Sequence, residues 1–228
     1  MNQLLVHRKF KDHYLFKDPS LVLYLPLYEL DGASFRSKDR YGHLCVVTGP
    51  LWTPQDRTFD GDDKIVVTAN AALQNFTAKS VVVWAKINAF AADYRELYDN
   101  GYWTSTFGDF LWLSKTENGY AWYFKNTAGT VKQAPTSGWV AYTPNTWTML
   151  AYSWDGATIT AYKNTSVVAS DIALTGTLAC SSYALTIGSR SNNSEGFTGS
   201  LGEVLIYNRA LTATEIAYLY HATKWRYP

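Results

Sequence analysis

The chain has 228 residues, with 20 Lys+Arg against 19 Asp+Glu and a formal net charge of +1. Surface scaling lets a chain of this length bury roughly 70% of its surface, so neither disulfides nor metals are needed for it to fold. The balanced charge leaves no basic field for nucleic acid, and the apolar run Leu21–Leu25, stopped by Pro26, falls far short of the ~20 residues of a membrane helix; neither nucleic acid nor membrane insertion is expected.

The unusual feature is aromatic content: 17 Tyr, 9 Trp and 10 Phe, against 17% charged residues. Aromatic and β-branched side chains suit a pleated, half-buried surface, so the composition points to strands. Residues 1–20 read as an N-terminal arm. They carry Arg8, Lys9, Lys11 and Lys17 against Asp12 and Asp18, and end at the turn signal Asp18-Pro19-Ser20. Met1 to Phe10 hold no continuous apolar leader segment, so secretion through a leader within this sequence is not expected.

From Leu21 to Pro228 the pattern is one domain of short apolar or alternating runs separated by Gly, Asn, Asp and Pro, as in an antiparallel sandwich. Strands are predicted near 21–27, 43–48, 64–68, 79–88, 94–98, 110–115, 119–125, 139–142, 147–154, 157–163, 166–170, 184–188 and 200–207. Asp155-Gly156 between the runs 147–154 and 157–163 predicts a hairpin with a two-residue type I′ turn. The one predicted helix is C-terminal: Thr212 and Glu215 have capping-box spacing, and Leu211 and Ile216 are placed as a hydrophobic staple. Ile216, Leu219 and Tyr220 fall on one face, which predicts a helix lying on the sandwich. Cys45 and Cys180 contain no CxxC pair; they read as two buried thiols or as one long-range disulfide.

Several segments, taken together and in order, resemble laminin-G-like domains of the concanavalin A-like lectin/glucanase superfamily. They are Leu23-Tyr-Leu-Pro-Leu27, Tyr41-Gly-His43, Phe59-Asp-Gly-Asp-Asp-Lys-Ile65, the hairpin Trp147 to Asn164, Leu185-Thr-Ile-Gly188, and the closing block Phe197 to Ile216. The resemblance implies an all-β, two-sheet antiparallel jelly-roll sandwich with a short C-terminal helix. It does not fix a function, because lectins, glycosidases, adhesion domains and structural modules share the fold.

Glycoside hydrolysis needs two carboxylates flanking the scissile bond. Glycosidases of this superfamily carry Glu-x-Asp-x-x-Glu on one strand, and here Glu29-Leu30-Asp31 begins that spacing but runs into Gly32-Ala33-Ser34. With no other paired constellation, no enzymatic activity is expected. Asp60, Asp62 and Asp63 put three carboxylates within four residues of a turn. The resemblance implies one structural calcium ion at an edge of the sandwich, held by Asp60 or Asp62 with Glu203; the same Asp-Gly-Asp-Asp run is also satisfied by its own turn hydrogen bonds, and both readings stand.

Saccharide binding needs an aromatic face beside Asn, Asp or backbone groups. The candidates are Tyr102 and Trp103 beside Asn100, Trp112 on the following strand, Trp122, and Trp139 next to Ser137, most other rings being core. The expected function is a non-catalytic carbohydrate-binding or adhesion module whose partner is a glycan or polysaccharide. The alternative is a structural or decoration subunit of a larger assembly such as a bacteriophage virion, docked through the N-terminal arm to other protein subunits. Either reading places the chain outside the cell or on a virion surface.

Overall fold

The computed structural model describes residues 14–88, 93–101, 108–180, 184–192 and 194–228. A single helical turn, Tyr14–Lys17, leads into β1 (Leu21–Pro26), β2 (Ser34–Arg36), β3 (Leu44–Thr48), β4 (Leu51–Trp52), β5 (Arg57–Asp60) and β6 (Lys64–Val67). Then follow β7 (Lys79–Ile87), β8 (Arg95–Asn100), β9 (Asp109–Ser114), β10 (Gly119–Lys125), β11 (Val131–Ala134) and β12 (Val140–Ala141). The last strands are β13 (Trp147–Trp154), β14 (Thr158–Lys163), β15 (Ser166–Ala173), β16 (Leu185–Ile187) and β17 (Thr198–Tyr207), before the helix Ala213–Thr223.

Among the described residues these strands pair into two antiparallel sheets. The first runs β15-β14-β13-β7-β17-β5-β4, with β1 also paired to β17; the second runs β11-β10-β9-β8-β16-β6-β3-β2, with β12 paired to β10. Period-2 alternation explains how they stack. In β13, Leu150, Tyr152 and Trp154 join the core between the sheets, whereas Met149 and Ala151 face the other way. In β7, Val81, Val83, Ala85 and Ile87 point inward while Val82 and Trp84 point out.

The first sheet is buried on both faces, which is why β7 reads as a nearly unbroken apolar run. Its outer face is covered by the C-terminal helix, through Leu211, Ile216 and Leu219, and by Leu15 of the N-terminal turn. The capping box forms as predicted, with Thr212 Oγ1 accepting from the Glu215 backbone N–H at 3.2 Å and Glu215 Oε2 accepting from the Thr212 N–H at 2.8 Å. No described helix covers the outer face of the second sheet.

Several expectations change. Residues 14–20 are not a free arm: Leu15 is fully buried, Tyr207 Oη donates to its carbonyl at 3.2 Å, and Asp18 pairs with Arg209 at 2.6 Å. The 147–163 hairpin forms, but its turn is not type I′. Trp154 pairs with Ile159, so four residues lie between the last paired positions; among them Gly156 alone has positive φ, at 92°, while Asp155 Oδ1 accepts from the Ala157 and Thr158 N–H groups. The expected strand at 139–142 shrinks to two residues, and the short strands β2, β4, β5 and β11 were not predicted, being too brief or too polar to show alternation. Cys45 and Cys180 are both buried free thiols.

Candidate functional site

The outer face of the second sheet carries an aromatic platform. Alternation in β9 sends Leu111 and Leu113 inward and Phe110 and Trp112 outward, and in β10 it sends Tyr120, Trp122 and Phe124 inward and Tyr123 outward. Cross-strand register places Tyr123 opposite Phe110, their rings stacked with centroids 5.0 Å apart and 5° between planes. Trp112 meets Tyr123 edge to face at 5.1 Å.

Two rings extend the platform from loops. Tyr94 lies 5.2 Å from Trp112 and 6.4 Å from Trp139, and Trp139 lies 6.3 Å from Tyr123. Tyr94 adopts a left-handed φ of 59°, a costly conformation for a bulky residue, and Asp93 holds it there. Asp93 Oδ1 accepts from the N–H groups of Tyr94 (3.0 Å) and Lys115 (2.7 Å) and from Ser114 Oγ (2.9 Å), and this donor set keeps the carboxyl low, at about 2, against the cost of burial. Trp139 reaches over β10 because residue 119 is glycine: a Cβ there would stand 2.6 Å from Trp139 Cβ. Tyr94 is 44% exposed, and Trp112, Tyr123 and Trp139 are half-buried.

Polar groups line one side. Glu195 Oε2 accepts from Trp112 Nε1 at 3.1 Å and from Arg190 Nη2 at 2.6 Å, while Arg190 Nε donates to Glu96 Oε1 at 2.9 Å. The Arg190 guanidinium also lies 5.4 Å from the Trp112 ring centroid. Asp99, opposite Phe110, accepts from the Ser191 N–H at 2.9 Å. Burial pushes Glu96 up to about 8 and Asp99 up to about 7, with Arg190 opposing, so both hold their protons far above the usual carboxylate range. The result is a cluster of partly exposed, mutually tilted rings bordered by fixed donors and acceptors, which suits the C–H face and hydroxyl rim of a sugar.

The predicted ligand residues separate accordingly. Trp112 and Trp139 belong to the platform. Trp122 does not: it is fully buried, packed edge-on against Tyr98 at 5.9 Å and Tyr152 at 4.9 Å. Asn100 is also interior, with its Nδ2 3.4 Å from both the Leu73 carbonyl and Cys180 Sγ. Tyr102 and Trp103 lie outside the described residues. Tyr94 and Tyr123 were not among the predicted residues: aromatics occupy both parities of β10, and nothing in the sequence marks Tyr94.

Asp60, Asp62 and Asp63 bring one carboxylate oxygen each within 4.8 Å of one another. Asp63, buried against Gly49 and crowded by its neighbours, is raised to about 6, and its Oδ2 accepts from the Asp60 N–H at 3.0 Å. Three hard oxygen donors at a turn fit the chemistry of calcium. Glu203 does not fit with them. It sits five residues along β17 from Thr198, the partner of Asp60, hence roughly 15 Å away by strand rise. There it is fully buried and bound to Arg226 Nη1 at 2.7 Å.

Comparison with solved structures gives the same sandwich at low identity. The binding domain of botulinum neurotoxin serotype G aligns over 88% of this chain and 50% of its own, with TM-score 0.71 and 14% identity. The binding domain of Paraclostridial Mosquitocidal Protein 1 aligns over 88% of this chain and 52% of its own, with TM-score 0.67 and 16% identity. Trypanosoma rangeli sialidase in complex with sialic acid aligns over 91% of this chain and 33% of its own, with TM-score 0.69 and 15% identity. The chain thus spans about half the length of the two toxin domains and a third of the sialidase. Comparison with curated protein sequences returned no match. The family profile of laminin G type matches residues 59–217, and on that match the chain belongs to the concanavalin A-like lectin/glucanases superfamily.

Proposed function

We propose that this chain is a non-catalytic carbohydrate-binding module that takes a glycan on the partly exposed rings at the outer face of its second sheet. The observation that carries the reading is the platform of Tyr94, Trp112, Tyr123 and Trp139, whose neighbouring rings lie 5.1–6.4 Å apart at a partly exposed surface beside Glu195 and Arg190. Rings held rigidly by cross-strand packing lose little entropy on binding, and sugar faces stacked on them gain apolar contact without needing charge. Two similar folds are described as binding domains, and the sialidase fold was solved with sialic acid, which supports a surface or extracellular recognition role. Among the described residues, Glu96, Asp99 and Glu195 are engaged with Arg190, Ser191 and Trp112 rather than facing an open cleft, which supports binding without hydrolysis.

The test is a glycan array followed by calorimetry on the best ligand. Trp112→Ala is expected to weaken binding at least about tenfold, the loss of one stacked ring being worth about 0.5–1.5 kcal/mol beyond its buried area. Retention of full affinity in both Trp112→Ala and Trp139→Ala would place any glycan elsewhere on the molecule.

A further inference from the structure

Between the two sheets lies a polar group that glycan recognition on the outer face does not use. Lys79 opens β7 in the first sheet and shares its inward parity with Val81; Asp109 opens β9 in the second and shares its inward parity with Leu111. Both side chains are completely shielded from solvent, and Lys79 Nζ stands 2.6 Å from Asp109 Oδ1. The Phe76 ring lies 4.3 Å from Nζ. Two phenols and a thiol complete the cluster: Lys79 Nζ donates to Tyr98 Oη at 2.9 Å, Tyr152 Oη donates to Asp109 Oδ2 at 2.7 Å, and Cys180 Sγ donates to Asp109 Oδ1 at 3.5 Å. An isolated ion pair here carries the full desolvation penalty of two charges. Condensation to an amide removes both.

We propose that Lys79 and Asp109 join spontaneously in an intramolecular isopeptide bond that ties the two sheets together. A proton passes along the short contact from Nζ to Oδ1, leaving a neutral amine and a carboxylic acid. The Nζ lone pair then attacks Asp109 Cγ, which is one bond from the oxygen it already touches. Tyr152 donates to Oδ2, where negative charge develops in the tetrahedral intermediate. The second Nζ proton passes to Oδ1 across the same short contact; the Cγ–Oδ1 bond breaks, and Oδ1 leaves as water. One C–N bond forms, one C–O bond breaks, and no oxidant, reductant or cofactor takes part. Exclusion of water from the site then protects the amide from hydrolysis. The link supplies a covalent tie that the free thiols Cys45 and Cys180 do not.

Denaturing intact-mass spectrometry of the full chain decides the matter. The expected mass is one water, about 18 Da, below the sequence mass, with a branched peptide joining Lys79 to Asp109 after digestion. Asp109→Asn is expected to reach the same amide by losing ammonia, about 17 Da, and Lys79→Met is expected to show its full mass. An unmodified wild-type mass, or a deficit without the Lys79–Asp109 branched peptide, overturns the proposal. Because the wild-type measurement is decisive alone, the result does not depend on either variant folding.

Discussion

At the residue scale, the platform depends on rings held in place by polar anchors. Asp93 is the anchor for Tyr94, through its bonds to the Tyr94 N–H, the Lys115 N–H and Ser114 Oγ. Asp93→Ala is therefore expected to lower glycan affinity several-fold while leaving the core intact, measured as a calorimetric Kd beside a melting curve; unchanged affinity would remove Tyr94 from the site. Glu96 governs a different property. Its carboxyl is raised to about 8 in the fold and ionises near its ordinary value when unfolded, so folding takes up a proton between those values. The contribution is fully present below the unfolded pKa and is lost as pH rises through about 8. Melting temperature should thus fall between pH 5 and 9, and Glu96→Gln should flatten that slope; an identical slope in the variant contradicts the assignment. The same scale shows why the sequence identified only part of the site. In Tyr120-Ala-Trp122-Tyr123-Phe124, aromatics occupy both parities of one strand, so composition cannot say which ring faces the core. Only the pairing of Tyr123 with Phe110 settles it.

At the element scale, two pieces outside the platform hold the sandwich together. The C-terminal helix is fixed by its capping box and by Arg209, which bridges Asp18 at 2.6 Å and Glu215 at 2.7 Å. The Arg209 bonds and the Thr212 N–H hold Glu215 near 2, so its stabilisation is present at neutral pH and lost as pH falls through that value. Thr212→Ala removes the cap and is expected to cost about 1 kcal/mol in chemical denaturation; no change would mean that packing of Ile216 and Leu219 alone fixes the helix. The Asp60–Asp63 turn is our proposed structural calcium site. A calcium-loaded chain should melt several degrees higher than one treated with chelator, and Asp62→Asn should reduce the difference; equal melting temperatures would leave the turn explained by its own hydrogen bonds. The helix was legible because capping chemistry is local. The strands of two to four residues were not, because their identity comes from partners distant in sequence, as β5 against β17 shows.

At the scale of the whole molecule, the outer face of the first sheet is spent on the helix and on residues 14–20. Among the described residues, the outer face of the second sheet is buried along much of β8, β9 and β16, and its partly exposed part is the ring cluster of Tyr94, Trp112, Tyr123 and Trp139. Sandwich, closing helix and family were readable from order and spacing, since they rest on patterns repeated along much of the chain. The placement of Asn100 in the core and of Glu203 beside Arg226 was not, because both depend on which of two faces an alternating strand turns inward. Glycan recognition by that ring cluster is the claim on which the functional reading stands. The most direct measurement is a glycan array probed in parallel with the wild-type chain and the Trp112→Ala/Tyr123→Ala double variant. A defined saccharide class bound by the wild type and lost in the folded double variant is the predicted result; no saccharide bound, or equal binding by both proteins, would contradict it.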